Sequence, residues 1–223
     1  MEQRSAVVEE TRRRIVDATV QLHNEKGVSG TSMQDISDRA GVALATVYRH
    51  FPSLEALVPA CGRRNLELNP LPTEAVFASD ETGQARVTAL VGELFAHYER
   101  GLRPYEVGLA ECATLPVMGR LLAEVNAEVA ALVSAATAPF GPDRKRLNLA
   151  VGLCDFRVWR ALTQAGLSTG EAAESIARLI SLALTQPPGT ATRKQARARK
   201  PRPRAASQSI TSKRRTRNAD RNE

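Results

Sequence analysis

GVALATVYRHF, residues 41–51, opens on a glycine and runs into a stretch that suits a short helix. Met33, Ile36 and Ala40 come just before it at spacings of three and four, which marks one apolar helical face. Thr31 with Gln34, or Ser32 with Asp35, offers a capping-box start to that earlier helix. Gly41 then supplies a residue that tolerates positive φ at the turn between the two. The spacing turns Val42, Val47 and Phe51 inward, against Ile36, Ala40 and Leu22, and leaves Leu44, Ala45, Tyr48 and Arg49 on the outer face. Two helices joined this way form a helix-turn-helix, whose second helix enters the DNA major groove.

Working outward, Ile15, Ala18 and Leu22 share one face of a helix expected from about Thr11 to Lys26, and Gly27 suits the left-handed residue that ends it. After the motif, Ser53 is the expected N-cap of a fourth helix. Pro59 lies inside that helix and removes the amide that would bond the Glu55 carbonyl, so a kink or a late start is expected. Residues 70–82 read as a connection, and further helices are expected near 83–101, 103–113, 116–138, 142–166 and 169–185. Pro116 and Pro142 suit first helical turns, and Ser168 with Glu171 repeats the capping box. Alternating apolar runs and Asn-Gly hairpin turns are absent, and only 4% of the residues are aromatic, so the expected fold is all-α with a core of Ala, Leu, Val and Ile.

The net charge of +7 hides a division. Residues 189–223 hold twelve Lys and Arg against Asp220 and Glu223, a charge of +10, which leaves −3 on residues 1–188. That basic tail has Ile210 as its only large aliphatic residue and is expected to be disordered. Three domains follow: a helix-turn-helix unit at 1–52, a helical regulatory and dimerisation unit at 53–186, and the tail at 187–223. Cys61, Cys112 and Cys154 show no metal-ligand spacing and read as free thiols in a reducing cytoplasm. No run of about 18 uncharged apolar residues is present, so no membrane-spanning segment is expected, and residues 1–14 show no secretory leader. No nucleophile elbow, P-loop or dinucleotide fingerprint appears, so neither enzymatic activity nor a cofactor nor a metal is expected.

The residues that carry the motif resemble the TetR family of bacterial transcription regulators. They are Ile15, Ala18, Gly27, Thr31-Ser32-Met33, Asp35-Ile36, Ala40-Gly41-Val42, Thr46-Val47-Tyr48-Arg49-His50-Phe51 and Glu55-Ala56-Leu57. The resemblance covers about residues 10–60. It implies a nine-helix homodimer that binds a palindromic operator in double-stranded DNA and is released by a small molecule held in the C-terminal body. Such a repressor would sit in the cytoplasm, associated with the nucleoid. Carried over by position, Thr31 and Ser32 would meet phosphate, and Thr46, Tyr48 and His50 would touch phosphates or bases. The full expected DNA-facing set is Thr31, Ser32, Gln34, Ala43, Leu44, Ala45, Thr46, Tyr48, Arg49 and His50. Three positions depart from the family pattern. Ala43 replaces a frequent capping Ser, Leu54 a frequent phosphate-binding Lys, and Leu44 a position that is often polar or basic.

Each of these residues also has a purely structural reading. The alternative for Tyr48 is a half-buried core aromatic, for His50 a helix-end cap, for Thr46 a backbone partner, for Leu44 an interface-facing or core residue, and for Arg49 a solvated charge. Arg12, Arg13 and Arg14 read either as backbone or minor-groove contacts or as a solvated face. Leu147, Val151, Cys154, Val158 and Leu162, and again Ala172, Ile176, Leu179 and Ala183, form apolar stripes. The default for such stripes is core, and the resemblance implies that part of each joins a dimer interface. The candidate pocket residues are Phe95, Tyr98, Tyr105, Met118, Phe156 and Trp159, with His97, Glu111 and Asn126 nearby in sequence; core packing is the default for each of them, and if they line a pocket, such a lining favours an apolar or aromatic ligand. Two other functions compete with a ligand-responsive repressor: an architectural DNA-coating protein dominated by its tail, and an enzyme on a borrowed helical scaffold.

Overall fold

Ser32 settles which capping box opens the second helix. Its hydroxyl accepts from the Asp35 amide, while the Asp35 carboxylate accepts from the Ser32 amide at 2.8 Å. The computed structural model describes residues 2–79 and 82–185, with backbone alone for residues 2–4; the basic tail lies outside the described residues. The helices are α1 (Glu2–Lys26), α2 (Met33–Ala40), α3 (Leu44–His50), α4 (Leu54–Leu68), α5 (Gly83–Arg100), α6 (Leu102–Glu111), α7 (Pro116–Thr137), α8 (Arg144–Leu153), α9 (Phe156–Gln164) and α10 (Thr169–Thr185). Single 3₁₀ turns occur at Glu74–Phe77 and Ala138–Phe140, and there is no strand among the described residues. The fold is all-α, as the composition predicts.

Three sequence expectations need correction. The first helix begins nine residues before Thr11, at Glu2. Pro59 does not delay α4, which starts at Leu54 and continues through the proline to Leu68. The carbonyl that loses its amide partner belongs to Glu55, an exposed residue, where water can take the acceptor. The expected 142–166 helix is two helices, so there are ten α-helices among the described residues rather than nine. Asp155 causes the break: its carboxylate accepts from the Arg157 amide at 2.7 Å and N-caps α9, while the Cys154 amide turns back to Ala150 and Val151. The stripe from Leu147 to Leu162 therefore spans a bend.

The core has three parts. In the N-terminal part, Ile15, Leu22, Ile36, Val47, Phe51 and Leu57 are buried together, which fixes α3 by its inner face. The largest part lies among α5, α7, α8, α9 and α10, and Phe77 from the 70–82 connection is buried in it. Val28, Val58, Val107 and Met118 form a small third cluster where α4, α6 and α7 meet the loop after α1. Helix α7 with its 3₁₀ extension (Pro116–Phe140) is long and apolar enough, at mean hydropathy 1.4, to cross a membrane by composition. It also carries Arg120, Glu124 and Glu128, and buries Met118, Val125, Val129 and Val133 against its neighbours. Cys61 and Cys154 are free and buried, and burial pushes both thiols up to about 12, which leaves them unreactive at neutral pH.

Candidate nucleic-acid interface

Gly41 adopts the left-handed conformation at φ +61° and closes α2, its amide turning back to Asp38. The Ser37 hydroxyl donates to the Val42 carbonyl at 2.7 Å and ties the two sides of the turn. Arg14 reaches across from α1 and donates to the Ala40 carbonyl at 2.6 Å, which caps α2. Arg39 forms a two-pronged pair with Glu25, both bonds at 2.8 Å, joining α2 to α1. Arg12 lies over the Phe51 ring at 5.1 Å, and Arg13 holds Glu10.

These contacts decide what α3 can present. Ala45, Tyr48 and Arg49 are exposed, while Leu44, Thr46 and His50 are half-buried. Tyr48 is 49% exposed, so the core reading of its ring does not hold. Among the described arginine side chains of α1–α3, Arg49 alone has neither a carboxylate nor a carbonyl partner. Ala43 is the N-cap of α3 and gives it no side-chain hydrogen bond. Replacing Ala43 with Ser is expected to add that bond and stabilise the domain by about 1 kcal/mol, seen as a higher urea midpoint. An unchanged midpoint would show that the α3 amides are already served.

At the start of α2 the expectations divide. Thr31 is buried, and its hydroxyl donates to the Gly27 carbonyl at 2.8 Å. It closes the α1–α2 loop, with its hydroxyl engaged inside the fold. Ser32 is exposed, but its hydroxyl is shared with Asp35 at 2.6 Å. Lys26 pairs with Asp35 at 2.7 Å, and the hydrogen bonds from Lys26 and Ser32 hold that carboxyl well below the usual carboxylate range. Gln34 is exposed and donates to Asp38. Leu54, where the resemblance expects a lysine, is half-buried against the N-terminal core.

The residues expected to line a pocket mostly do not. Phe95, Tyr98, Phe156 and Trp159 are buried in the large core, and Tyr105 stacks on Phe156 at 4.8 Å. Core packing, the default for these residues, holds for those four, whose aromatic edges and faces fill that volume. A cavity of about 410 Å³ instead opens among α1, α4, α6 and α7, and of the expected set only Tyr105 and Met118 reach it. His97 is on its wall, held between the Pro70 carbonyl at 2.9 Å and the Tyr105 hydroxyl at 3.0 Å. Asn126 is exposed on α7.

Glu111 is also elsewhere. One of its carboxylate oxygens accepts from the Val28 amide at 3.0 Å, and the other accepts from the Ser29 amide and hydroxyl at 2.9 and 3.0 Å. This clamp joins the end of α6 to the loop that leads into α2. Gly27, at φ +83°, lies so close that a Cβ there would collide with the Glu111 carboxylate. Nothing in the sequence signals this clamp, because its partners are more than 80 residues apart.

Residues 15–61 match the bacterial regulatory proteins, tetR family. That segment, which holds the helix-turn-helix, is a TetR-family domain. Over 86 residues the chain is 36% identical to the HTH-type transcriptional repressor KstR of Mycolicibacterium smegmatis, a match covering 38% of the chain and 42% of KstR. The chain thus aligns with less than half the length of that curated relative. The fold is similar to that of a transcriptional regulator from Rhodococcus sp. Rha1, with a TM-score of 0.60, 17% identity, and coverage of 78% of this chain and 95% of that one. It is also similar to the multidrug binding protein EbrR, with a TM-score of 0.54, 24% identity, and coverage of 81% and 93%.

Proposed function

We propose that this protein is a dimeric transcriptional repressor whose α3 reads a palindromic operator and which a small apolar or aromatic molecule releases. The observation that carries the reading is Arg49. It stands exposed and unpaired beside Tyr48 on the outer face of a short helix whose inner face is locked by Val47 and Phe51. A free guanidinium there suits guanine readout or phosphate pairing, and the apolar Leu44 and Ala45 suit thymine methyl groups. The family match, residues 15–61, contains this helix; KstR is named a repressor, and EbrR is named a multidrug binding protein.

The dimer rests on Leu149, Leu179 and Leu182, each about half exposed on α8 and α10. The domain division is proposed as the sequence suggests, with residues 1–52 binding DNA, 53–186 sensing and dimerising, and 187–223 adding sequence-independent affinity through its twelve cations. Selecting bound sites from random DNA tests the whole reading. A two-fold symmetric site is the expected result, and uniform coating without a motif would defeat it. Arg49→Ala is expected to cost about 1–3 kcal/mol on the selected site and little on random DNA. Equal losses on both would assign Arg49 to phosphate alone. Deleting residues 189–223 is expected to weaken binding to both DNAs alike and to flatten the salt dependence, and an unchanged slope would remove the tail from the account.

A further inference from the structure

The cavity among α1, α4, α6 and α7 is not confined to the C-terminal body. Val20, His23 and Asn24 of α1 form one wall, and Val28 of the loop into α2 adjoins them. At about 410 Å³ it lies within the range of small-molecule sites. Its lining is largely aliphatic, contains no Asp or Glu, and includes Arg100 and Arg103. Each of these arginines uses its Nε for a structural bond, to Asn69 Oδ1 at 3.0 Å and to the Asn24 carbonyl at 2.7 Å, and both are exposed. His23 is 6% exposed, and its Nε2 is buried with no hydrogen-bond partner. A buried group in that condition is costly unless something pairs with it.

We propose that this cavity is the effector site, and that its occupant is an apolar molecule bearing a carboxylate. The inference rests on the repressor reading above. The charge balance of the wall selects the class: Arg103 is paired with Glu106 at 3.9 Å, whereas Arg100 is held only by the neutral Asn69 and no Asp or Glu lines the wall, which favours an acid, disfavours an amine, and leaves a neutral alcohol without its strongest contact. The aliphatic wall takes the body, and His23 adds a hydrogen-bonding group within it. Because α1 and the α1–α2 loop form part of the wall, an occupant presses on the seam that Arg103 and Glu111 hold closed. Release of DNA then follows from one ligand that prefers the opened seam.

The test uses the full chain and dodecanoate, compared with dodecan-1-ol and dodecyltrimethylammonium, in calorimetric titrations and in release from the selected operator. Dodecanoate is expected to bind at one per chain and to displace DNA, with the alcohol at least tenfold weaker and the ammonium inactive. Arg100→Gln, at the exposed rim, is expected to weaken dodecanoate about tenfold without changing the alcohol. Val107→Phe is expected to block both, by filling the space. Absence of dodecanoate binding, a preference for the alcohol or the ammonium, or binding indifferent to Arg100→Gln overturns the proposal. So does binding that leaves DNA in place. If the chain selects no DNA site at all, the repressor reading fails, while the titrations still decide whether the cavity takes a carboxylate.

Discussion

Glu111→Ala is expected to lower stability by about 2–3 kcal/mol, measured as a lower urea midpoint with an unchanged slope. The carboxylate serves three donors in the loop between α1 and α2. Ser29 is exposed, and water can replace its contacts. Val28 is 2% exposed, so its amide would be left buried without an acceptor, and this sets most of the cost. Glu111→Gln keeps an acceptor for one amide and is expected to cost about half as much. The alanine variant should also loosen the loop into α2, so its amides from Val28 to Thr31 should exchange faster with solvent. An unchanged midpoint with unchanged exchange would mean that α6 does not hold the DNA-binding domain through this residue.

Acidification provides the second large effect. Burial pushes His23 down to about 4, only partly opposed by the nearby Glu111 carboxylate. In the unfolded chain the same imidazole takes its proton near pH 6.5. Between those values the unfolded state binds more protons, so stability is full above about 6.5 and falls as the pH drops toward 4. The expected loss from His23 is roughly 2 kcal/mol between pH 7 and pH 5. His97, lowered chiefly by burial as well, acts in the same direction. The carboxyls held low by partners, Asp35, Glu25, Asp143 and Glu171, lose their contribution only at lower pH. His23→Leu should therefore flatten the pH dependence between 7 and 5, leaving the part due to His97. Parallel curves for the two proteins would show that His23 is charged, or reached by water, in the folded state.

Both effects arise at the seam between the two parts of the body, where the sequence is least informative. Within the motif it is highly informative. Met33, Ile36, Ala40, Gly41, Val47 and Phe51 interact over a few residues, so helical spacing and one left-handed glycine are enough to place α2, the turn and α3. Ser32 with Asp35 is a capping box that needs no distant partner. The departures at Ala43 and Leu54 were likewise visible, and the structure shows an uncapped α3 and a half-buried leucine at those positions.

What failed to show in the sequence depends on residues that meet only after folding. The resemblance carries Thr31 over as a phosphate contact, but only the folded loop shows that it is buried with its hydroxyl on the Gly27 carbonyl. Phe95, Tyr98, Phe156 and Trp159 can be read from sequence as lining or as core, and only the meeting of α5 with α9 brings their rings together and closes the space. Arg14 looked like one of three equivalent arginines until α2 was placed under it. The sequence by itself determined an all-helical chain, the helix-turn-helix and the face it shows, because those follow from contacts within one or two turns. The tertiary structure alone decided which cations remain free, where the cavity lies, and that Glu111 and His23 sit at the seam, because burial and hydrogen-bond pairing belong to residues distant in the chain.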